Sequence, residues 1–149
     1  MCSSDLAYQL LEQYRGGTLS PVEVTQAILA RIEQLNPTIN AFCLIDAEHA
    51  MRSAQLSEGR WQAHRKSGAA VGALDGVPVS IKDLILTRGW PTLRGSHTVD
   101  PAQAWDVDAP VTARLREAGA VLLGKTTTPE FGCKAETNSP LHEIGRAHV

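Results

Sequence analysis

The sequence predicts an α/β fold, and three observations lead there. Two short apolar runs, Val77 to Ile81 and Ala120 to Leu123, have the length and composition of buried strands. Several longer stretches repeat apolar residues at helical spacing between recognisable start and stop residues. The chain also passes from such a helix into such a strand through a single glycine, Gly119, the connection typical of a layer of helices on a sheet.

Taken in order, "AYQLLEQYRGG" reads as a short amphipathic helix closed by Gly16 and Gly17. "SPVEVTQAILARIEQLNP" begins a second helix, with Ser20 as cap, Pro21 in the first turn and Glu23 completing a capping box. Val24, Ile28, Ile32 and Leu35 form its inward face, and Asn36-Pro37 is expected to end it. "TINAFCLI" reads as a strand, "DAEHAMRSAQLSEG" as a helix capped by Asp46, and "RWQAHRKSGAAVG" as a polar surface loop. A turn at Asp75-Gly76 then precedes the Val77 to Ile81 strand. In "DAPVTARLREAG", Asp108 serves as cap, Pro110 lies in the first turn, and Val111, Leu115 and Ala118 share a face.

"GAVLLGKT", residues 119–126, satisfies the phosphate-loop pattern G-x-x-x-x-G-K-T. Its context runs the wrong way. A phosphate loop needs a strand before it and a helix directly after the lysine, so that backbone N–H groups face the anion. Here a helix precedes, the variable positions form the strand, and "TTTPE" puts β-branched residues before Pro129 where the helix should start. The stretch is therefore read as a helix-to-strand connection, and no nucleotide is expected.

With 149 residues, 43% hydrophobic and 20% charged, the chain can bury a core, and its formal charge of -2 supplies no basic field for nucleic acid or an acidic membrane. No apolar run approaches a membrane span, so the expected location is cytoplasmic. Cys2, Cys43 and Cys133 are odd in number and widely spaced, and His49 and His64 have no partner at ligand spacing. Neither a metal nor a cofactor is expected.

The opening "MCSSDL" and closing "EIGRAHV" back-translate into DNA strings that are reverse complements over most of their length, as a sequencing adapter on both ends of an insert would be. Residues 1–6 and 143–149 are accordingly read as adapter-derived, leaving 7–142 as the biological segment.

Strand alternation places Val77, Val79 and Ile81 on one face and Pro78, Ser80 and Lys82 on the other. From these residues alone Lys82 has two readings: a strand-end lysine reaching solvent beside Asp83, or a functional amine. Ser80, Ser96 and Ser139 sit in neither a G-x-S-x-G elbow nor an S-x-x-K pair and read as turn or strand hydroxyls.

"GVPVSIKD", "GWPTLRGS", "DAPVTARLREAGAVLLGKTTTPEFG" and "ETNSPL", in this order from about Leu74 to Leu141, resemble the N-terminal part of the amidase signature family, serine hydrolases of carboxamides. The resemblance implies part of that family's fold, a mixed sheet covered by helices, cut off before its serine-rich core segment. It further implies a Ser, cis-Ser, Lys triad in which the lysine closing the "GVPVSIKD" stretch, Lys82, is the base. That lysine accepts a proton relayed from the nucleophilic serine, an acyl-enzyme forms, and water releases the acid. Both serines are expected downstream of "TNSPL", so this chain alone is expected to be inactive. The implied partner is a small-molecule amide, without nucleic acid, membrane or cofactor. An amidotransferase A-type subunit shares the same signature, although "TTTPEFGCKAETNSPL" is worded more like a general amidase. Thr127 stands where the family often has Asn, which leaves the subgroup open. The serine-rich loop missing from this sequence keeps a second reading in view, the chain as a non-catalytic α/β interaction module.

Overall fold

The computed structural model describes residues 7–144; the opening 1–6 and residues 145–149, which carry most of the adapter-like ends, lie outside the described residues. The elements are α1 (Ala7–Gly16), α2 (Pro21–Ile39), β1 (Phe42–Ile45), α3 (Ala47–Ser67), β2 (Pro78–Lys82), α4 (Pro110–Glu117), β3 (Val121–Thr126), a 3₁₀ turn (Glu130–Gly132), β4 (Asn138–Ser139) and β5 (Glu143–Ile144). Strands β1, β3 and β2 form one sheet in that order, and β4 pairs with β5. β1 runs antiparallel to β3. Val121 N–H donates to Val77 O and Asp83 N–H to Thr126 O, so the pairing of β2 with β3 advances in one direction along both strands. The sheet is mixed, as expected.

The chain forms two compact units, with four of the boundaries inside α2, β2, α4 and β3 and one between β1 and α3. One contains the residues up to Ala30, Asp46–Val79 and Arg114–Leu123. Its core is Leu10, Tyr14, Val24 and Trp61, with the Tyr14 and Trp61 rings 6.1 Å apart and tilted, an arrangement that suits their quadrupoles. Both rings keep their polar atoms satisfied: Tyr14 hydroxyl donates to Gly76 O and Trp61 Nε1 to Asp75 O. Asp75 is the polar hub. Its buried carboxylate accepts from Ser57 Oγ, from Arg60 Nε at 2.7 Å and Nη2 at 2.9 Å, and from Gly72 N–H.

Local signals set most helix ends. Ser20 N–H donates to Glu23 Oε2 and Glu23 N–H to Ser20 Oγ, the reciprocal capping box. Asp46 accepts from His49 N–H at the start of α3. Gly119, at φ 83°, closes α4.

Four expectations need correction, the first being Leu35, which is exposed and not on the inward face of α2. Helix α2 does not stop at Asn36-Pro37 but runs through Pro37 to Ile39. The stop is Asn40, left-handed at φ 48°, whose N–H donates to Asn36 O, while Asn36 side chain clasps Phe42 N–H and O. Pro37 removes a single hydrogen bond near the helix end, where the loss is tolerated. The segment read as a surface loop after Gly59 is helical to Ser67, because Ala50, Ala54, Ser57 and Trp61 continue one buried helical face and Trp61 belongs to the core. The true stop is Gly68, at φ 70°. On α4, Val111 is exposed and Thr112 is buried instead, its hydroxyl donating to Leu86 O.

The other unit holds Arg31–Ile45, Ser80–Ala113 and the residues from Gly124 on. In its β1–β3 ladder Phe42 pairs with Thr126 and Leu44 with Lys125, so Cys43 is the extra residue of a β-bulge. Gly124 lies in the strand and not in a phosphate cradle: a Cβ there would sit 2.0 Å from Leu44 O. A backbone carbonyl cannot yield at that distance without opening the ladder. Gly124→Ala is expected to cost about 3 kcal/mol in urea unfolding. An unchanged midpoint would show that β1 is not seated as described.

Candidate functional site

The site is built where β2 ends. Ser80 and Lys82 are exposed on one face of the strand and Ile81 is buried on the other, the alternation expected from the sequence. Directly afterwards the backbone turns, Ile85 N–H donating to Lys82 O, and Asp83 is buried. Asp83 Oδ1 accepts from Leu93 N–H at 3.2 Å and Oδ2 from Gly95 N–H at 3.4 Å, which ties the loop of residues 92–96 to the strand end that carries Lys82.

Lys125 completes this clamp. It is fully buried, and its Nζ donates to Ile85 O and Thr92 Oγ1, both at 2.7 Å, with Asp83 Oδ1 at 3.7 Å. Desolvation lowers its pKa from the usual lysine range, while the Asp83 carboxylate pulls in the opposite direction. A lysine spent on these three groups cannot serve a phosphate, which disposes of the phosphate-loop pattern chemically as well as sterically.

The "RGS" loop shows backbone stress at the same place. Arg94 and Gly95 are both left-handed, at φ 57° and 64°, and a Cβ on Gly95 would meet Thr128 O at 2.7 Å. Ser96 is buried, bonding Glu130 Oε1 at 2.7 Å and Thr98 Oγ1 at 2.9 Å. Ser139 accepts from His142 N–H. Ser96 lies in the loop after Gly95 and Ser139 in β4. Thr127, at the position where Asn is common, donates to Asn40 O and Ala41 O.

The structure gives the sequence-nominated histidines partners of their own. His64 Nδ1 lies 2.7 Å from Ala69 O and its ring stands edge-on to Trp61. His49 Nε2 faces Arg116 Nη1 in a shallow cavity of about 160 Å³ in the first unit, shared with Ser53, Leu56 and Arg60. Lys82 does not line that cavity, and the functional reading rests on the clamped strand end instead. Sequence reasoning missed the clamp: Lys125, Thr92 and Asp83 are far apart in the chain, and their only local signal was a lysine inside an otherwise apolar strand.

The comparisons with known proteins define the class. The family model described as Amidase matches residues 23–146. The chain belongs to the amidase signature family. Among curated proteins it is 39% identical over 133 residues to the A-type subunit of the glutamyl-tRNA(Gln) amidotransferase of Rhodopirellula baltica, covering 89% of this chain and 26% of that protein. The corresponding protein of Myxococcus xanthus is 38% identical over 131 residues, covering 88% and 26%. Among solved structures, a bacterial aryl acylamidase of the amidase signature family superposes with a TM-score of 0.82 at 29% identity, covering 93% of this chain and 28% of that one. The peptide amidase of Stenotrophomonas maltophilia gives 0.81 at 28% identity, covering 96% and 30%. The chain thus spans about a quarter of the length of the curated relatives it matches.

Proposed function

We propose that the full-length protein to which residues 7–142 belong hydrolyses carboxamide C–N bonds, with Lys82 as the base of a Ser, cis-Ser, Lys triad whose serines lie outside this chain. The observation that carries the reading is Lys82 itself, presented on the open face of β2 while Asp83 and Lys125 fix the backbone on either side of the turn. A lysine acts as a base near neutral pH only where water is excluded, so the remaining protein would have to cover this face. Neutral Lys82 would then take the proton that the bridging serine relays from the nucleophile, an amine or ammonia would leave, and water would release the acid. The substrate is a small amide, and neither metal nor cofactor enters the reaction. Among the described residues no helix is long and apolar enough to cross a membrane; a cytoplasmic location is part of the proposal, as is the adapter origin of residues 1–6 and 143–149.

A second reading has its own support, since the curated relatives are named as amidotransferase subunits. The two separate in one assay. The full-length protein, purified alone, is expected to release ammonia or amine from a simple carboxamide. Hydrolysis confined to glutamine and dependent on added partner proteins would replace the first reading with the second.

A further inference from the structure

We propose that Cys43, Asp83 and His142 form a binding site for a divalent ion of the zinc class. The three lie in one unit, and their ligand atoms, Sγ, a carboxylate oxygen and an imidazole nitrogen, are all within 4.8 Å of one another. In a tetrahedral zinc shell, ligand atoms stand about 3.5 Å apart given bond lengths of 2.0–2.3 Å, so side-chain rotation has to close about 1 Å. His142 Nε2 and Asp83 Oδ2 are already at 3.8 Å.

The fold supplies each ligand separately. The bulge at Cys43 takes that residue out of the ladder pairing, with its Sγ 3.5 Å from Lys125 O. Asp83 divides its oxygens, Oδ1 towards Lys125 Nζ and Leu93 N–H and Oδ2 towards His142 and Gly95 N–H, so the cation already present does not occupy the oxygen an ion would use. His142 is pinned through its backbone, its N–H on Ser139 Oγ and its O on Asn40 Nδ2, at the turn of the β4–β5 hairpin. Its Nε2 is buried without a hydrogen-bond partner. A buried polar atom left unpaired is costly, and a metal would remove that cost.

The donor set fits the ion. Thiolate and imidazole favour zinc or cobalt over magnesium or calcium, and three protein ligands leave one position for water. Coordination releases the Cys43 thiol proton to solvent, and the resulting thiolate joins the Asp83 carboxylate, which also faces Lys125 Nζ, as the anionic part of the shell. No electron is transferred. The expected spacing of cysteines and histidines concealed the set, because its members come from a bulge, a strand end and a hairpin.

The test is a Co²⁺ titration of the 149-residue chain in a thiol-free reductant. Saturable one-to-one uptake with a thiolate-to-cobalt absorption band is expected. Cys43→Ala should remove the band, His142→Ala should weaken Co²⁺ binding on the order of tenfold or more, and the Cys2→Ala, Cys133→Ala double variant should retain both band and affinity. Circular dichroism of each metal-free variant checks the fold; where Cys43→Ala alters it, Cys43→Val, closer in volume to cysteine and without a ligand atom, is read in its place. Absence of saturable uptake, a band that survives loss of Cys43, or unchanged affinity in His142→Ala would overturn the proposal.

Discussion

Replacing Lys82 by alanine in the full-length protein is expected to lower kcat for amide hydrolysis by roughly 10³-fold, the range spanned by losing a positioned general base. KM should stay within about twofold, because the amine acts on a proton in the transition state and is not asked to hold the substrate. Lys82→Arg sharpens the test. Arginine keeps roughly the length of the side chain, yet it cannot give up its proton near neutral pH and so cannot accept one. Equal inactivity of the alanine and arginine variants, with unfolding midpoints like that of the parent, identifies a base; an arginine variant near full activity would reduce Lys82 to a charge at the surface. Full activity in Lys82→Ala would remove it from the mechanism altogether.

The largest expected effect on stability is at Asp75. Asp75→Ala should lower the unfolding free energy by about 3 kcal/mol, measured as a shift of the urea midpoint at constant slope. The substitution strands Ser57 Oγ and Gly72 N–H and removes both hydrogen bonds to Arg60. The lower end of the range for broken buried pairs applies, because the Arg60 side chain is 42% exposed and can rehydrate while Asp75 cannot. The damage is not confined to one pair. Asp75 sits in the turn whose neighbour Gly76 donates to Gly119 O and accepts from Tyr14, so the turn that launches β2 is held by this carboxylate. Asp75→Asn, which keeps an acceptor but loses the charge, should cost about half as much. A loss below about 1 kcal/mol for the alanine variant would mean that the aromatic core alone holds the turn.

What could be read from the sequence was whatever is decided within a few residues. Ser20 with Glu23, Asp46, Gly119 and the alternation around Lys82 are local chemistry, and each stands in the structure as expected. The errors share one physical origin, which is packing that outweighs local preference. Gly59 looks like a helix end until Trp61 is found in the core just beyond it, and Asn36-Pro37 looks like a stop until Asn40 is seen to provide a better one. The strand carrying Lys82 was legible together with its family motif, whereas the clamp behind it was not. Lys125 reaches Thr92 and Ile85 across 33 and 40 residues of chain, and no spacing rule covers such distances. The same holds for Cys43, Asp83 and His142, whose meeting depends on a bulge that only the strand register reveals.

The strand order carries a consequence for how the chain is made. β3, the middle strand, is the last of the three to be synthesised, and β1 and β2 have no ladder with each other. Both therefore leave the ribosome with unpaired edges and wait for β3, β2 from Val121 on and β1 for Gly124 to Thr126. At roughly 5–20 residues per second, the interval between Lys82 and Val121 is on the order of seconds, long compared with the microseconds a local hairpin needs. During that interval the apolar residues of β1 and β2 are open to chaperones or to neighbouring chains, and the arrival of β3 closes both edges at once.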